Sequence, residues 1–210
     1  MHKIYIIFIV ITLQKFVGSQ QSATDCILNI RIPSSLYNSS SELGHWGWFL
    51  NKDSCAGVFQ EYLYSLGLRA NQTGQIYLNS TQQRNCLTML NNTQVEVMGC
   101  GIQKLTSGSG GCSDFSVDDA MEKLGGKFRN LRKNCEPLSS DGKWDQTCES
   151  CIKSWEDIKG LQSYGGQSAV ESDICRLAAL VSLTSARIDD EIWVENTYKC
   201  LGEQHSDEGK

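Results

Sequence analysis

The stretch SVDDAMEKLGGKFRNLRKNC, residues 116–135, decides the fold class. Val117, Ala120, Met121, Leu124, Phe128, Leu131 and Cys135 recur at every third or fourth position, which lays one continuous apolar stripe along a helix. Ser116 followed three residues later by Asp119 resembles a capping box, with Asp in the Glu/Gln place. Arg129, Arg132 and Lys133 gather near the helix C-terminus, where cations complement the backbone dipole.

Downstream, three more helices are expected. One carries Cys148, Cys151, Ile152 and Trp155. The next carries Ile174, Leu177, Ala178 and Val181, and the last Ile188, Ile192, Trp193 and Cys200. Upstream, Ser-Gly-Ser-Gly-Gly at 107–111 is the best internal break. Before it, Asp53 or Ser54 can cap a helix bearing Cys55, Val58, Phe59, Tyr62, Leu63 and Leu66, which Gly67 is expected to end. Residues 70–94 are polar, with a helical or irregular apolar patch near Cys86, Leu87 and Leu90. The alternation from Cys26 to Ile32, closed by Pro33, reads as a short strand, and Val95–Val97 as a second. The fold class is therefore mainly α, stapled by disulfides, with one or two short strands.

Ten cysteines lie between Cys26 and Cys200: Cys26, Cys55, Cys86, Cys100, Cys112, Cys135, Cys148, Cys151, Cys175 and Cys200. All follow a leader with the zones of a secretory signal peptide over residues 1–19: His2 and Lys3, an apolar run from Ile4 to Leu13, and the small-residue site Val17-Gly-Ser19. An oxidising compartment and an even cysteine number imply up to five bridges. Ten cysteines allow about 900 pairings, and sequence does not choose among them. Cys148 and Cys151 are expected to take different partners, because a pair on one helical turn seldom closes on itself in a structural framework.

The apolar run of the leader is shorter than the roughly 20 residues a membrane helix needs, and no later segment reaches that length. The mature chain, a cysteine-rich unit over 20–201 and a polar tail over 202–210, is thus expected to carry no membrane span. The tail resembles the start of a linker. The formal charge is −5, and the leader removes two lysines and no acid. Such a surface repels phosphate backbones, so no nucleic-acid partner is expected. Four sequons begin at Asn38, Asn71, Asn79 and Asn91, and they mark a glycan-bearing N-terminal half. A protein-binding face is accordingly expected in the C-terminal half.

Chemistry is harder to find. Cys148-Glu-Ser-Cys151 has the CxxC spacing of a redox pair, but no βαβ pattern precedes it and the framework explains both thiols. His45 and His205 stand alone, so no metal or cofactor is expected. Asp189, Asp190 and Glu191 fit the cap and first turn of a helix. Trp46, Trp48 and Phe49 are candidate binding aromatics, although completing a limited core is the better explanation of them. No catalytic constellation emerges.

The run Cys148-x-x-Cys151, Ser154-Trp-Glu-Asp157, Cys175-Arg-Leu-Ala-Ala-Leu-Val-Ser-Leu-Thr184 and Cys200-Leu-Gly202 resembles the extracellular SPARK domain of plant receptor-like kinases. The Cys26 start and the Cys55 helix fit the same pattern loosely. The resemblance implies a cysteine-rich ectodomain, secreted to the apoplast or held on the outer side of the plasma membrane. In that family it precedes a membrane helix and a Ser/Thr kinase, or in some relatives a lipid anchor. Neither follows here before Lys210. The function expected is non-catalytic recognition of an extracellular ligand or co-receptor. The alternatives are a secreted carrier of an apolar ligand and a secreted CxxC redox protein.

Overall fold

The computed structural model describes residues 25–30, 46, 49–92, 97, 99–106, 111–139, 144–158 and 169–202. The leader, Asn38, Trp48, the Gly/Ser break at 107–110 and the tail from 203 lie outside them. Seven helices occur among the described residues: α1 (Ala56–Thr73), α2 (Ser80–Asn92), α3 (Ile102–Thr106), α4 (Val117–Cys135), α5 (Trp144–Glu156), α6 (Ala169–Ser185) and α7 (Glu191–Gly202). Among the described residues the core is mainly helical, joined by loop residues such as Leu28, Trp46, Phe49 and Ile76, and α6 is its axis. Ile174 and the run Leu177 to Val181 are buried all round, as a helix enclosed by others requires. Helices α1, α3, α4 and α5 all pack against it.

The start of α4 follows its sequence closely. Ser116 Oγ accepts the Asp119 N–H at 3.1 Å, and the Asp119 carboxylate accepts the Ser116 N–H, also at 3.1 Å. Hydrogen bonds from Lys123 and then Ser116 hold the Asp119 carboxyl well below the usual carboxylate range. The apolar stripe is not straight, however. Gly125 has φ 52° and ψ −117°, a conformation that an L side chain rarely adopts, and it kinks α4. Ala120, Leu124, Phe128, Leu131 and Cys135 remain buried, while Met121 is 41 % exposed.

Five bridges use all ten cysteines, in two separate sets. Cys26–Cys86 and Cys55–Cys100 lie before the Gly/Ser break, and Cys112–Cys175, Cys135–Cys151 and Cys148–Cys200 lie after it. No bridge joins the two sets. Beyond the chain itself, their union is noncovalent, carried mainly by α1 against α6 and by the Tyr77 hydroxyl, which donates to the Ile174 carbonyl at 2.8 Å.

Three local expectations are corrected. Gly67 does not end α1, which continues to Thr73 and stops at Gly74 with φ 70°, the N–H of Gly74 reaching the Ala70 carbonyl at 2.8 Å. Gly67 instead meets the neighbouring elements closely: a Cβ built there lies 3.0 Å from Ile188 Cδ1 and 3.4 Å from Thr184 Oγ1. Nor does Asp53 or Ser54 provide the start cap. A 3-10 turn, Asp53–Cys55, leads into α1, and Cys55 at the cap position makes no side-chain cap bond. The strand expected from Cys26 is not formed over its described part, residues 25–30, nor is Val97 in one. A strand needs a hydrogen-bonded neighbour, and here the segment is held by its disulfide and by Ser65 Oγ donating to the Asn29 carbonyl. Among the described residues the only β pairing is an isolated bridge, Gln75 with Ser116.

The close approach at Gly67 makes a prediction. Gly67→Ala adds one methyl against the movable end of Ile188, and about 1 kcal/mol of helix propensity offsets the contact. Gly67→Leu overfills the crossing and should cost about 2 kcal/mol. Urea midpoints of the two variants check this, and a leucine variant as stable as the parent would contradict the crossing.

Candidate functional site

Two adjoining cavities open where the end of α1, the face of α4 and the end of α6 meet. The larger, about 290 Å³, is floored by Val117, Met121, Phe128 and Leu183 and rimmed by Asn71 and Ser185. The smaller, about 190 Å³, runs on toward Glu136, Arg187 and Trp193. Arg132, Leu183 and Ala186 line both, so the two form one groove with Arg132 at its waist. The Gly125 kink falls between Met121 and Phe128.

The polar groups of the groove differ in their engagement. Arg187 pairs with Asp190, lies 4.5 Å from the Trp193 ring centroid and donates to the Glu136 carbonyl. Asp190 also accepts the Trp193 N–H at 3.1 Å and so caps α7, which with Arg187 keeps its carboxyl below its ordinary range. By contrast, Arg132 and Asp118 make no side-chain hydrogen bond or ion pair with any described residue. Ser182 lines the larger cavity, is 1 % exposed, and its Oγ has no partner. A buried hydroxyl without a partner costs free energy. The groove thus offers an apolar floor, one uncommitted cation at Arg132, one uncommitted carboxylate at Asp118 and one hydroxyl without a partner.

The residues singled out from sequence fall elsewhere. Trp46 and Phe49 are 1 % and 0 % exposed, so neither presents a face to a ligand. Their rings pack into a cluster with Phe59, Tyr198 and Trp155 at centroid distances of 5.3 to 6.2 Å. Trp46 adopts φ 48°, a strained backbone for a bulky residue, held by its N–H to the Gly202 carbonyl and by this burial. Cys148 and Cys151, as expected, point to different partners, Cys200 and Cys135, so they form no redox couple. Asn71, Asn79 and Asn91 are all exposed. Asn79 Oδ1 caps α2 by accepting from Thr81 and Gln82. No group of three or more potential metal ligands, and no helix long and apolar enough to cross a membrane, occurs among the described residues.

Sequence reasoning missed the groove. Arg132 was legible only as a dipole partner and Leu183 only as part of the family run from Cys175 to Thr184, because the groove exists where three helices converge.

A family model, SPARK, matches residues 20–176. No curated protein and no solved structure matches the chain. The match begins at the residue after the expected leader, takes in every cysteine but Cys200, and stops within α6. With most of its length under that model, this cysteine-rich helical chain belongs to the SPARK family.

Proposed function

We propose that the chain is a non-catalytic extracellular binding module, and that the α1–α4–α6 groove docks a segment of a partner protein bearing a carboxylate beside an apolar side chain. The observation that carries this reading is the uncommitted Arg132 guanidinium at the waist of the groove, beside the apolar floor of the larger cavity, whose lining also includes Ser182 with its unpartnered hydroxyl. Arginine is well suited to such a site, since its planar fork binds a carboxylate bidentately and tolerates an apolar setting. Arg129 and Lys133 stand near it on α4, while Asp118 lines only the larger cavity and Glu136 only the smaller, so the unpaired cationic charge is confined to the waist.

Family membership and ten cysteines consumed in five bridges support an oxidising location, in the apoplast or on the outer side of the plasma membrane. The carrier alternative is less well supported. The groove is open to solvent along its length and does not enclose a ligand as a carrier cavity does, whereas an open surface groove suits protein contact.

Selection of a displayed random 12-residue peptide library on the disulfide-bonded, deglycosylated protein tests the reading. Enriched peptides should place Asp or Glu next to Leu, Phe or Trp. Arg132→Glu should weaken them at least tenfold, and a peptide with Lys in place of its acid should recover binding to that variant. An empty selection, or peptides indifferent to Arg132→Glu, would overturn the assignment.

A further inference from the structure

We infer that Asn71 is an N-glycosylation site whose glycan stands over the mouth of the groove, so that glycan occupancy at this one residue decides access to it. The inference rests on the groove as the binding face, but its own test does not require a partner.

The sequon Asn71-Gln72-Thr73 forms the last three residues of α1, and Asn71 is exposed. Sequence alone assigns it to a glycan-bearing N-terminal half, remote from a C-terminal binding face. The tertiary structure removes that separation. Asn71 lines the larger cavity, and its Nδ2 donates to the Ser185 carbonyl at the end of α6, 3.0 Å away and 114 residues along the chain. The side chain therefore bridges the two helices that frame the mouth. The other described sequons differ. Asn79 and Asn91 stand at the start and near the end of α2 and line no part of the groove.

The atom that makes the bridge is the atom that takes the sugar. Glycosyl transfer from a lipid-linked oligosaccharide diphosphate forms a bond from Nδ2 to the sugar C1. The C1–O bond to the diphosphate breaks, the diphosphate leaves with that electron pair, and one amide proton is lost to base. No oxidant is involved. One N–H remains on the glycosylated amide, enough to keep the bond to Ser185. The first sugar is then fixed to an atom 3.0 Å from the opposite rim, beside a floor of Met121, Phe128 and Leu183. A glycan so placed covers apolar surface that is otherwise open to nonspecific contact. The form lacking it presents the groove with Asn71 as a polar strut across its edge.

The test compares the parent with Thr73→Val, both secreted from a glycosylating host. Valine abolishes the sequon and leaves Asn71 and its bridge. The Thr73 hydroxyl bonds only to the exposed Arg69 carbonyl and Gln75 N–H, which water can satisfy. Asn71→Gln, checked by circular dichroism, is a second sequon-free variant in case the first misfolds. Glycopeptide mass spectrometry reads occupancy at Asn71, and hydroxyl-radical footprinting reads the oxidation rate of Met121. We expect an occupied Asn71 in the parent and Met121 oxidised at least threefold faster in both variants, with no change in Asn79→Gln. An unmodified Asn71 in material with Asn79 occupied, or equal Met121 rates with and without the Asn71 glycan, would overturn the inference. Neither readout uses a peptide, so either result is separate from failure of the docking assignment.

Discussion

Replacing Cys112 and Cys175 together by serine should destabilise the fold by about 4 kcal/mol, the largest loss among the bridges of the C-terminal set. This bridge closes a separation of 63 residues, whereas Cys135–Cys151 closes 16 and should cost about 3 kcal/mol. The ordering follows from chain entropy, since a longer closed loop removes more conformations from the unfolded ensemble. Packing adds to it. Both sulfurs of Cys112–Cys175 are buried, and the bridge fixes the 3-10 turn Gly111–Asp114 directly onto α6. Against a domain stability of about 5–15 kcal/mol, either loss is a large fraction. Urea unfolding of the two paired-serine variants provides the check. A Cys135/Cys151 variant less stable than the Cys112/Cys175 variant would show that local packing, and not loop closure, governs the bridges. The same argument expects dithiothreitol to abolish the helical circular dichroism in one cooperative step.

Trp155→Ala should cost a further 3–5 kcal/mol, comparable to losing a bridge. The ring is 1 % exposed, meets Phe49 edge-on at 5.4 Å, and its Nε1 donates to the Arg176 carbonyl at 3.3 Å. It is the contact through which α5 grips both the aromatic cluster and the middle of α6. Removing it opens a cavity and leaves a buried carbonyl without its donor. Trp155→Phe separates the two effects, because it keeps a ring against Phe49 and loses only volume and the N–H. A cost of about 1–2 kcal/mol is expected for it. If phenylalanine proves as damaging as alanine in urea midpoints, the hydrogen bond to Arg176 and not ring packing is the dominant link.

Helix positions were legible wherever the local signal was strong. The Ser116–Asp119 box starts α4, and the burial of Leu124, Phe128 and Leu131 follows the spacing of the apolar stripe. The final helix was less faithful. Ile188 is buried in the turn before α7, while Ile192 within it is 70 % exposed. Asp190 rather than the apolar spacing fixes where α7 begins, by capping Trp193. At Gly67 the local rule failed because a glycine can serve either a left-handed turn or a close helix crossing. Only the neighbour, Ile188, distinguishes the two uses. Over its described residues, 25–30, the segment from Cys26 forms no strand, since alternation records a face but cannot supply a neighbouring strand.

By itself the sequence determined the helical class, the use of the cysteines in bridges, and the divergence of Cys148 from Cys151. These are short-range matters of periodicity, capping and thiol spacing. The tertiary structure alone decided that the bridges fall into two unlinked sets and that α1 runs on to Gly74. It alone assembled the groove, whose rim joins Asn71 to Ser185 across 114 residues of chain. Periodicity tells a helix which face to bury but not against which partner, and a site built at the convergence of three helices exists only once that choice has been made.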